Sequence, residues 1–475
     1  MHTDGKGHRL TQDGSGEHPP LRTLEKTGYA LGDFASCLIW QAISVYLLYY
    51  FTNVAGVETG PAVAIISASK IIDGVTDILM GFIIERTRTR FGKVRPYLLT
   101  MGLPLGISTV LLFSIPAGLG TDGKLIWIFV SYNLVTSVFY TALNVPYSGM
   151  HCFLTDDSME RSRLSILRLV FAYAAQVLVN AVFFSLVRGL GGGELSDRGG
   201  WTGAAAVIGT AAFGIALVTF FTTHERVSGD AAGQEKQPSP LTSLRSVLRN
   251  RYILLLFGTT LCSFTGTALF SGSAAYYAQF VLHNVDATGM ITNAATIAQV
   301  LGLIFVVPAL LKRYSKHLIY LAGTGLMASC FLLSRLFSES LPALLALNAL
   351  KGLAMGATTS MVYAMCADAV DYGEYKTGVR AAGLGTAFLQ CMGKFGIGLG
   401  TALMGAVLTG GGFDAEAAEQ TGAALNALKA VYTYIPGIIL GLSLAIMLAY
   451  RLDAIYPEVA DTLLKRREEA RKAKQ

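Results

Sequence analysis

SASKIIDGVTDILMGFIIERTRTRFGKVRP, residues 67–96, is the stretch on which the reading of the chain turns. Its first part belongs to an apolar run spanning roughly residues 61–84, and a bilayer-crossing helix needs about 20 such residues. Lys70, Asp73 and Asp77 interrupt the run, which then ends in Arg86, Arg88, Arg90, Lys93 and Arg95. Spacings of three and four put Lys70, Asp73 and Asp77 on one helical face. An ionisable group in hydrocarbon is costly, so each one inside a span is a candidate for function. Two carboxylates four residues apart repel each other unless a cation or a proton sits between them, which suits binding and release of Na+ or H+. A structural cluster closed by Lys70 is the other reading, although one lysine cannot neutralise two aspartates.

The rest of the chain has the composition that such a span requires. Of 475 residues, 37 are Lys or Arg and 31 are Asp or Glu, a net charge of +6 and a charged fraction of only 14%. Soluble domains carry about 25%. Apolar residues make up 52%, and the mean hydropathy is +0.50. This excludes disordered, collagen-like and disulfide-scaffold classes and nucleic-acid binders. The six Cys contain no CxxC pair and read as packing residues, neither disulfides nor metal ligands. No phosphate-cradling Gly loop, His-rich spacing or nucleophile–base set points to an enzyme or to a bound cofactor.

Apolar runs predict an all-α membrane protein of twelve spans, near 28–52, 61–84, 97–115, 124–149, 166–187, 203–222, 252–281, 288–311, 318–337, 341–369, 381–408 and 428–450. The expected organisation is a disordered cytoplasmic tail over 1–26, a six-helix half over 27–222, a linker over 223–251, a second half over 252–450 and a charged tail over 451–475. Eighteen Lys and Arg fall in the loops after spans 2, 4, 6, 8 and 10, against four in the alternate loops. That bias predicts cytoplasmic termini. The halves echo each other: TDDSMERSR after span 4, with Asp157 and Glu160, answers DYGEYKTGVR after span 10, with Asp371 and Glu374. Two parallel six-helix halves are the major-facilitator arrangement, whose substrate site lies at the midplane between them.

Further charges lie inside or beside other spans. Asp33 precedes Trp40 by two helical turns, and a carboxylate beside an indole plane suits a sugar. Arg168 opens span 5 with a five-donor head that brackets hydroxyls or a carboxylate. Lys394, within LQCMGKFGIGLG, sits far from either helix end, with Gln390 one turn before it. Lys351 lies inside span 10, between core pairing and the transport pathway as readings. Arg86, Arg90, Glu160 and Arg163, with Asp77, are expected to form a cytoplasmic gate network. Asp368, Asp371 and Glu374 form the matching latch, the aspartates paired with Lys376 or Arg380.

KIIDGVTDILMGFIIERTRTRFGKVRPYLL, YTALNVPYSGM, ADAVDYGEYKTGVR and the GDFA around Asp33 resemble the glycoside–pentoside–hexuronide cation symporters, the melibiose permease family. The resemblance implies symport of a sugar or glycoside with Na+, Li+ or H+ by a multi-pass protein of the cell (inner) membrane, acting as a monomer without a cofactor. It places the cation site, Na+ included, on Asp73, Asp77, Thr76 and Thr141, with Lys394 and Lys70 in coupling. It places the sugar near Asp33, Trp40, Asn144, Arg168 and Gln390. Asn144 stands where melibiose permease has an aspartate, Gly32 where it has a basic residue and Ser148 where it has Trp, so the substrate is a pentoside, hexuronide or related glycoside. A lysolipid carrier of the same superfamily, needing a more apolar and laterally open cavity, and a non-transporting membrane sensor, expected to carry a soluble domain, are the alternatives.

Overall fold

The computed structural model describes residues 21–155, 158–226, 240–378, 382–415, 417 and 419–474. Residues 1–20 of the expected tail, residues 227–239 of the expected linker, Asp157 and Arg380 lie outside them. Every named element is helical: α1 (Thr23–Tyr49), α2 (Thr59–Arg86), α3 (Arg95–Leu112), α4 (Thr121–Asn133), α5 (Thr141–Gly149), α6 (His151–Leu154), α7 (Ser158–Leu190), α8 (Arg198–Thr222) and α9 (Pro240–Arg249). Then come α10 (Arg251–Phe280), α11 (Ala287–Leu301), α12 (Val307–Leu311), α13 (Lys316–Ser334), α14 (Leu341–Thr377), α15 (Ala382–Gly410), α16 (Gly422–Tyr432), α17 (Tyr434–Leu448) and α18 (Leu452–Lys474). Among the described residues, ten continuous helical stretches are long and apolar enough to cross a membrane.

Three π-helical turns interrupt the long rods: Tyr50–Val54 after α1, Leu134–Tyr140 between α4 and α5, and Gly302–Val306 between α11 and α12. Such turns shift side-chain register within a helix and recur at functional sites. The linker and tail expectations change in detail. Residues 240–249 form helix α9 in what was read as linker, and 452–474 form helix α18, whose Tyr456 hydroxyl donates to Asp371 Oδ2 at 3.0 Å.

The helices pack as two groups in chain order. In the first, α1 lies against α7 and α8, and α8 against α3. Trp201 is fully buried there, amid Tyr50, Phe113 and Phe183 at ring distances of 5.3, 6.2 and 5.6 Å. In the second, α14 lies against α11 and α13, and α17 against α10 and α13. The groups touch through α1–α10, α7–α11 and α2–α15. At the end away from the chain termini they are joined by Arg188–Asp286 (2.6 Å), Thr52–Tyr276 (2.6 Å) and Asn53 Nδ2 to the Ala415 carbonyl (2.9 Å).

α2 has two chemically opposite faces. Ile71, Val75, Leu79 and Ile83, spaced by four, are all exposed, whereas Lys70 and Asp73 are buried. Exposed isoleucine and leucine on a helix whose inner face is charged fit a lipid surround, where the interior holds the polar groups. Small residues set the spacing of the rods. A Cβ on Gly352 would lie 2.0 Å from the Ala295 carbonyl oxygen, so α14 meets α11 at a distance only glycine allows. Gly352→Ala is therefore expected to destabilise the fold by about 1–3 kcal/mol, the cost of overpacking. Thermal melting of the detergent-solubilised protein checks it against Gly74→Ala, where the added methyl meets nothing within 4 Å.

Candidate functional site

The three charges of α2 converge with α4, α5 and α15. Lys70 Nζ donates to Asp73 Oδ2 at 2.8 Å, and both side chains are almost fully buried. The indole of Trp40 and the ring of Tyr132 face the ammonium at 5.1 and 5.3 Å, each a cation–π contact worth about 0.5–2 kcal/mol. Asp73 Oδ1 accepts from Thr136 (3.1 Å) and from Ser137. One turn along, Asp77 Oδ1 accepts from Thr141 at 3.0 Å, and its Oδ2 is paired with Lys394 of α15.

The expected repulsion between the two aspartates is relieved by lysines. Each carboxylate has its own lysine and its own hydroxyls, so the four-charge cluster is neutral overall. Of the cluster's two ion pairs, it is Asp77–Lys394 that joins the helix groups, since Lys70 and Asp73 share α2. Thr76 lies apart from the carboxylates: its hydroxyl donates back to the Ile72 and Asp73 carbonyls, at 3.1 Å each. Thr136 and Ser137 were missed. A signal existed, because Ser137 and Thr141 are spaced by four, as are Asp73 and Asp77, and parallel helices in register pair them two by two. The π-helical turn carrying Thr136 and Ser137 turns both hydroxyls toward one carboxylate oxygen.

The expected sugar residues do not all come together. Arg168 Nε donates to Asp33 Oδ2 at 2.6 Å, and the guanidinium also lies 5.4 Å from the centre of the Tyr147 ring. This ion pair closes the carboxylate that was expected to be open to hydroxyls. Trp40 lines a cavity of about 210 Å³ between the helix groups, with Lys70, Gln41, Gln176, Thr267 and Thr401. A second cavity of about 100 Å³ shares Gln41, Gln176, Thr267 and Ser271 with it and continues toward Lys351. Asn144 is half-buried and lines neither cavity, and Gln390 is exposed and stands outside both.

At the end carrying the termini, the ion pairs among Glu25, Lys26, Glu160, Arg226, Lys316 and Asp368 stay within each helix group. Glu160 is paired with Lys26 (2.6 Å) and Glu25 with Arg226 (2.6 Å). Arg86, Arg90 and Arg163 are exposed and take part in neither pair, Arg90 lying over Phe91 at 4.7 Å. Asp368 is paired with Lys316 of α13 at 2.6 Å, in place of the expected Lys376, which lies over Tyr372 and Tyr375. α13 begins close enough to α14 to supply the nearer cation. Glu374 is half-buried near the end of α14. Among the described residues, no group of three His, Cys, Asp or Glu is placed to hold a metal ion. The hard oxygen donors of Asp73, Asp77, Thr136, Ser137 and Thr141 are of the kind that Na+ or Li+ takes.

A family profile described as "MFS/sugar transport protein" matches residues 28–454. The chain belongs to this family. It is 30% identical to the isoprimeverose transporter of Lactiplantibacillus pentosus, over 92% of the chain and 90% of that protein. It is 29% identical to the inner membrane symporter YicJ of Escherichia coli, strain K12, over 90% and 92%. A glucuronide carrier protein homolog of the same strain is 29% identical over 82% and 84%. The crystal structure of a mutant of the nucleoside transporter NupG has the same fold, with a TM-score of 0.64 at 14% identity, covering 90% of this chain and all of that one. The protein is a multi-pass membrane transporter and not an enzyme, and it lies among the glycoside–pentoside–hexuronide symporters.

Breaking a buried ion pair leaves one uncompensated charge, at about 3–5 kcal/mol. Lys70→Met is therefore expected to lower the melting temperature sharply by stranding Asp73. Combining it with Asp73→Leu removes the stranded carboxylate and recovers most of the loss. Thermal unfolding of the single and double variants in one detergent measures both.

Proposed function

We propose that the protein is a secondary active symporter that carries a sugar or glycoside into the cell with Na+, Li+ or H+. In this reading the chain has twelve spans, with α2 and α3 completing the ten apolar stretches, and both termini are cytoplasmic. The six-helix halves are 27–222 and 252–450. The structure then represents the inward-facing state, since the halves are joined at the end away from the termini. The protein acts as a monomer. The observation that carries the reading is the neutral cluster Lys70–Asp73–Asp77–Lys394, set between the helix groups beside a mainly apolar cavity that also presents Gln41, Gln176, Thr267 and Thr401.

The cycle follows from charge balance. A neutral cluster costs least in hydrocarbon when nothing is bound, so the empty carrier can reorient with Lys394 serving Asp77 as internal counter-ion. A cation entering between Asp73 and Asp77 takes over the carboxylate oxygens, with Ser137, Thr136 and Thr141 as further donors. Lys394 is released, and the one ionic link between α2 and α15 loosens. Lys70 remains on Trp40, whose other partner is Tyr140 at 5.2 Å, so the state of the cluster is felt by a ring that lines the cavity. Sugar affinity rises when the cation is present, and by linkage the cation binds more tightly when sugar is present. Asp33 with Arg168 and Asn144 line the route toward the cytoplasmic side, and the paired ends at Glu160 and Asp368, with Asp371 and Glu374, act as latches remade in the opposite state.

Uphill uptake into proteoliposomes tests the proposal. With a cation gradient imposed, the wild type accumulates glycoside above equilibrium, and Asp73→Asn is expected to abolish accumulation. Uphill uptake surviving in Asp73→Asn would sink the mechanism. Ser137→Ala and Thr141→Ala, each removing one charged-acceptor hydrogen bond, are expected to weaken cation activation by on the order of tenfold.

A further inference from the structure

Lys351 stands in the first third of α14, about three turns in from its N-terminus, and is 3% exposed. Its ammonium lies 4.2 Å from the ring centre of Phe331, 5.0 Å from Phe270 and 5.6 Å from Tyr432. Its one hydrogen-bond partner is Ser334 Oγ, at the long distance of 3.5 Å. The other inward cations each hold a carboxylate: Lys70 has Asp73, Lys394 has Asp77 and Arg168 has Asp33. Among the described residues, Lys351 has none. Three aromatic faces offset part of the cost of burying a cation, but they supply no acceptor for its three N–H donors.

The side chain is not sealed in the core. It lines the cavity of about 100 Å³ that shares Gln41, Gln176, Thr267 and Ser271 with the larger one. The chamber therefore has two cationic ends of different kinds. At one, the charge of Lys70 is cancelled by Asp73. At the other, no carboxylate among the described residues faces Lys351, so its ammonium form presents an uncompensated positive charge to what enters the chamber. Gly352, the next residue, holds α14 tight against α11, so the lysine is carried on a fixed backbone.

We propose that the Lys351 arm of the chamber binds the anionic group of an acidic sugar, a carboxylate or a sulfonate, and that Lys351 is the residue selecting charged over neutral glycosides. The inference rests on the glycoside-transport reading above and adds the substrate's charge to it. A single negative group entering the arm supplies both the missing counter-charge and the missing acceptors. The hydroxyls of the ring then face the amides and hydroxyls at the junction of the two cavities. The aromatic rings keep the ammonium pointed into the arm while leaving its donors open.

Isothermal calorimetry on the purified full-length protein, in saturating Na+ at mildly acidic pH, tests it with three probes. These are a methyl glucuronide, a 6-sulfonated methyl glucoside and neutral methyl glucoside. The wild type is expected to bind at least one acidic probe more tightly than the neutral one, and the better acid names the group. Lys351→Gln is expected to lower the acid-to-neutral affinity ratio by on the order of ten- to a hundredfold, the worth of a hydrogen-bonded charge. Lys351→Arg keeps part of that ratio. Lys351→Met, which removes an unpaired charge and keeps an apolar stem, is expected to melt no lower than the wild type. An unchanged ratio in Lys351→Gln, equal loss of both kinds of probe, or a marked fall in melting temperature for Lys351→Met overturns the proposal, the last by making the lysine a structural plug. Binding of the neutral probe alone overturns it while leaving glycoside transport standing. Binding of no probe, with Li+ or proton alone tried in place of Na+, overturns it, and the uphill-uptake assay then decides separately whether glycoside transport stands.

Discussion

A charge inside a bilayer has no water to solvate it, so each one must find a partner within the protein, and the arrangement of those partners governs this structure. Lys70 and Asp73 satisfy each other along one helix. Asp77 has no such neighbour on α2 and takes Lys394 from α15. The second pairing ties the two helix groups at the depth of the cavity, and the rest of the interface follows from it. Toward the end away from the termini, α2 and α15 stay in contact through Val63 and Gly405, and Gly398 backs directly on the Lys70 stem. Toward the termini, the ion pairs turn inward within each group. The Asp77–Lys394 link at cavity depth, with glycine contacts and the Arg188–Asp286 pair on the side away from the termini, gives an interface able to separate at the other end.

The same constraint explains how much could be read from the sequence. Charges are scarce, so those falling within apolar runs at residues 70, 73, 77 and 394 declare themselves without any structure. The helices themselves were legible because hydrocarbon requires long apolar runs. What could not be read were partners brought from other helices. Asp368 pairs with Lys316, and Asp33 with Arg168, from helices far along the chain, and local spacing carries no information about which rods become neighbours. The roles of Thr136 and Ser137 depend on a π-helical turn, which has no clear composition mark. Thr76 carries the right oxygen in the right place along the sequence, yet its hydroxyl turns back to its own helix.

Lys351 belongs to the same account from the opposite side. A sequence offers no way to distinguish a buried lysine that has a carboxylate from one that lacks it. The fold does, by surrounding this one with Phe270, Phe331 and Tyr432. Lys70, Lys394 and Arg168 each hold a carboxylate while Lys351 faces none among the described residues, and substrate selection is the role for which that imbalance is suited.

The central claim is that the coupling cation acts by displacing Lys394 from Asp77, and pulsed electron-spin distance measurements test it most directly. Spin labels at Ile83 on α2 and Leu399 on α15, both on exposed faces, report the separation of these helices in the full-length protein in lipid. Saturating the coupling cation, with Na+, Li+ and acidic pH applied in turn, is predicted to lengthen the distance for one of them, and Asp77→Asn is predicted to abolish that response. A distance distribution unchanged by all three, in protein that still accumulates glycoside against a gradient, would contradict the account.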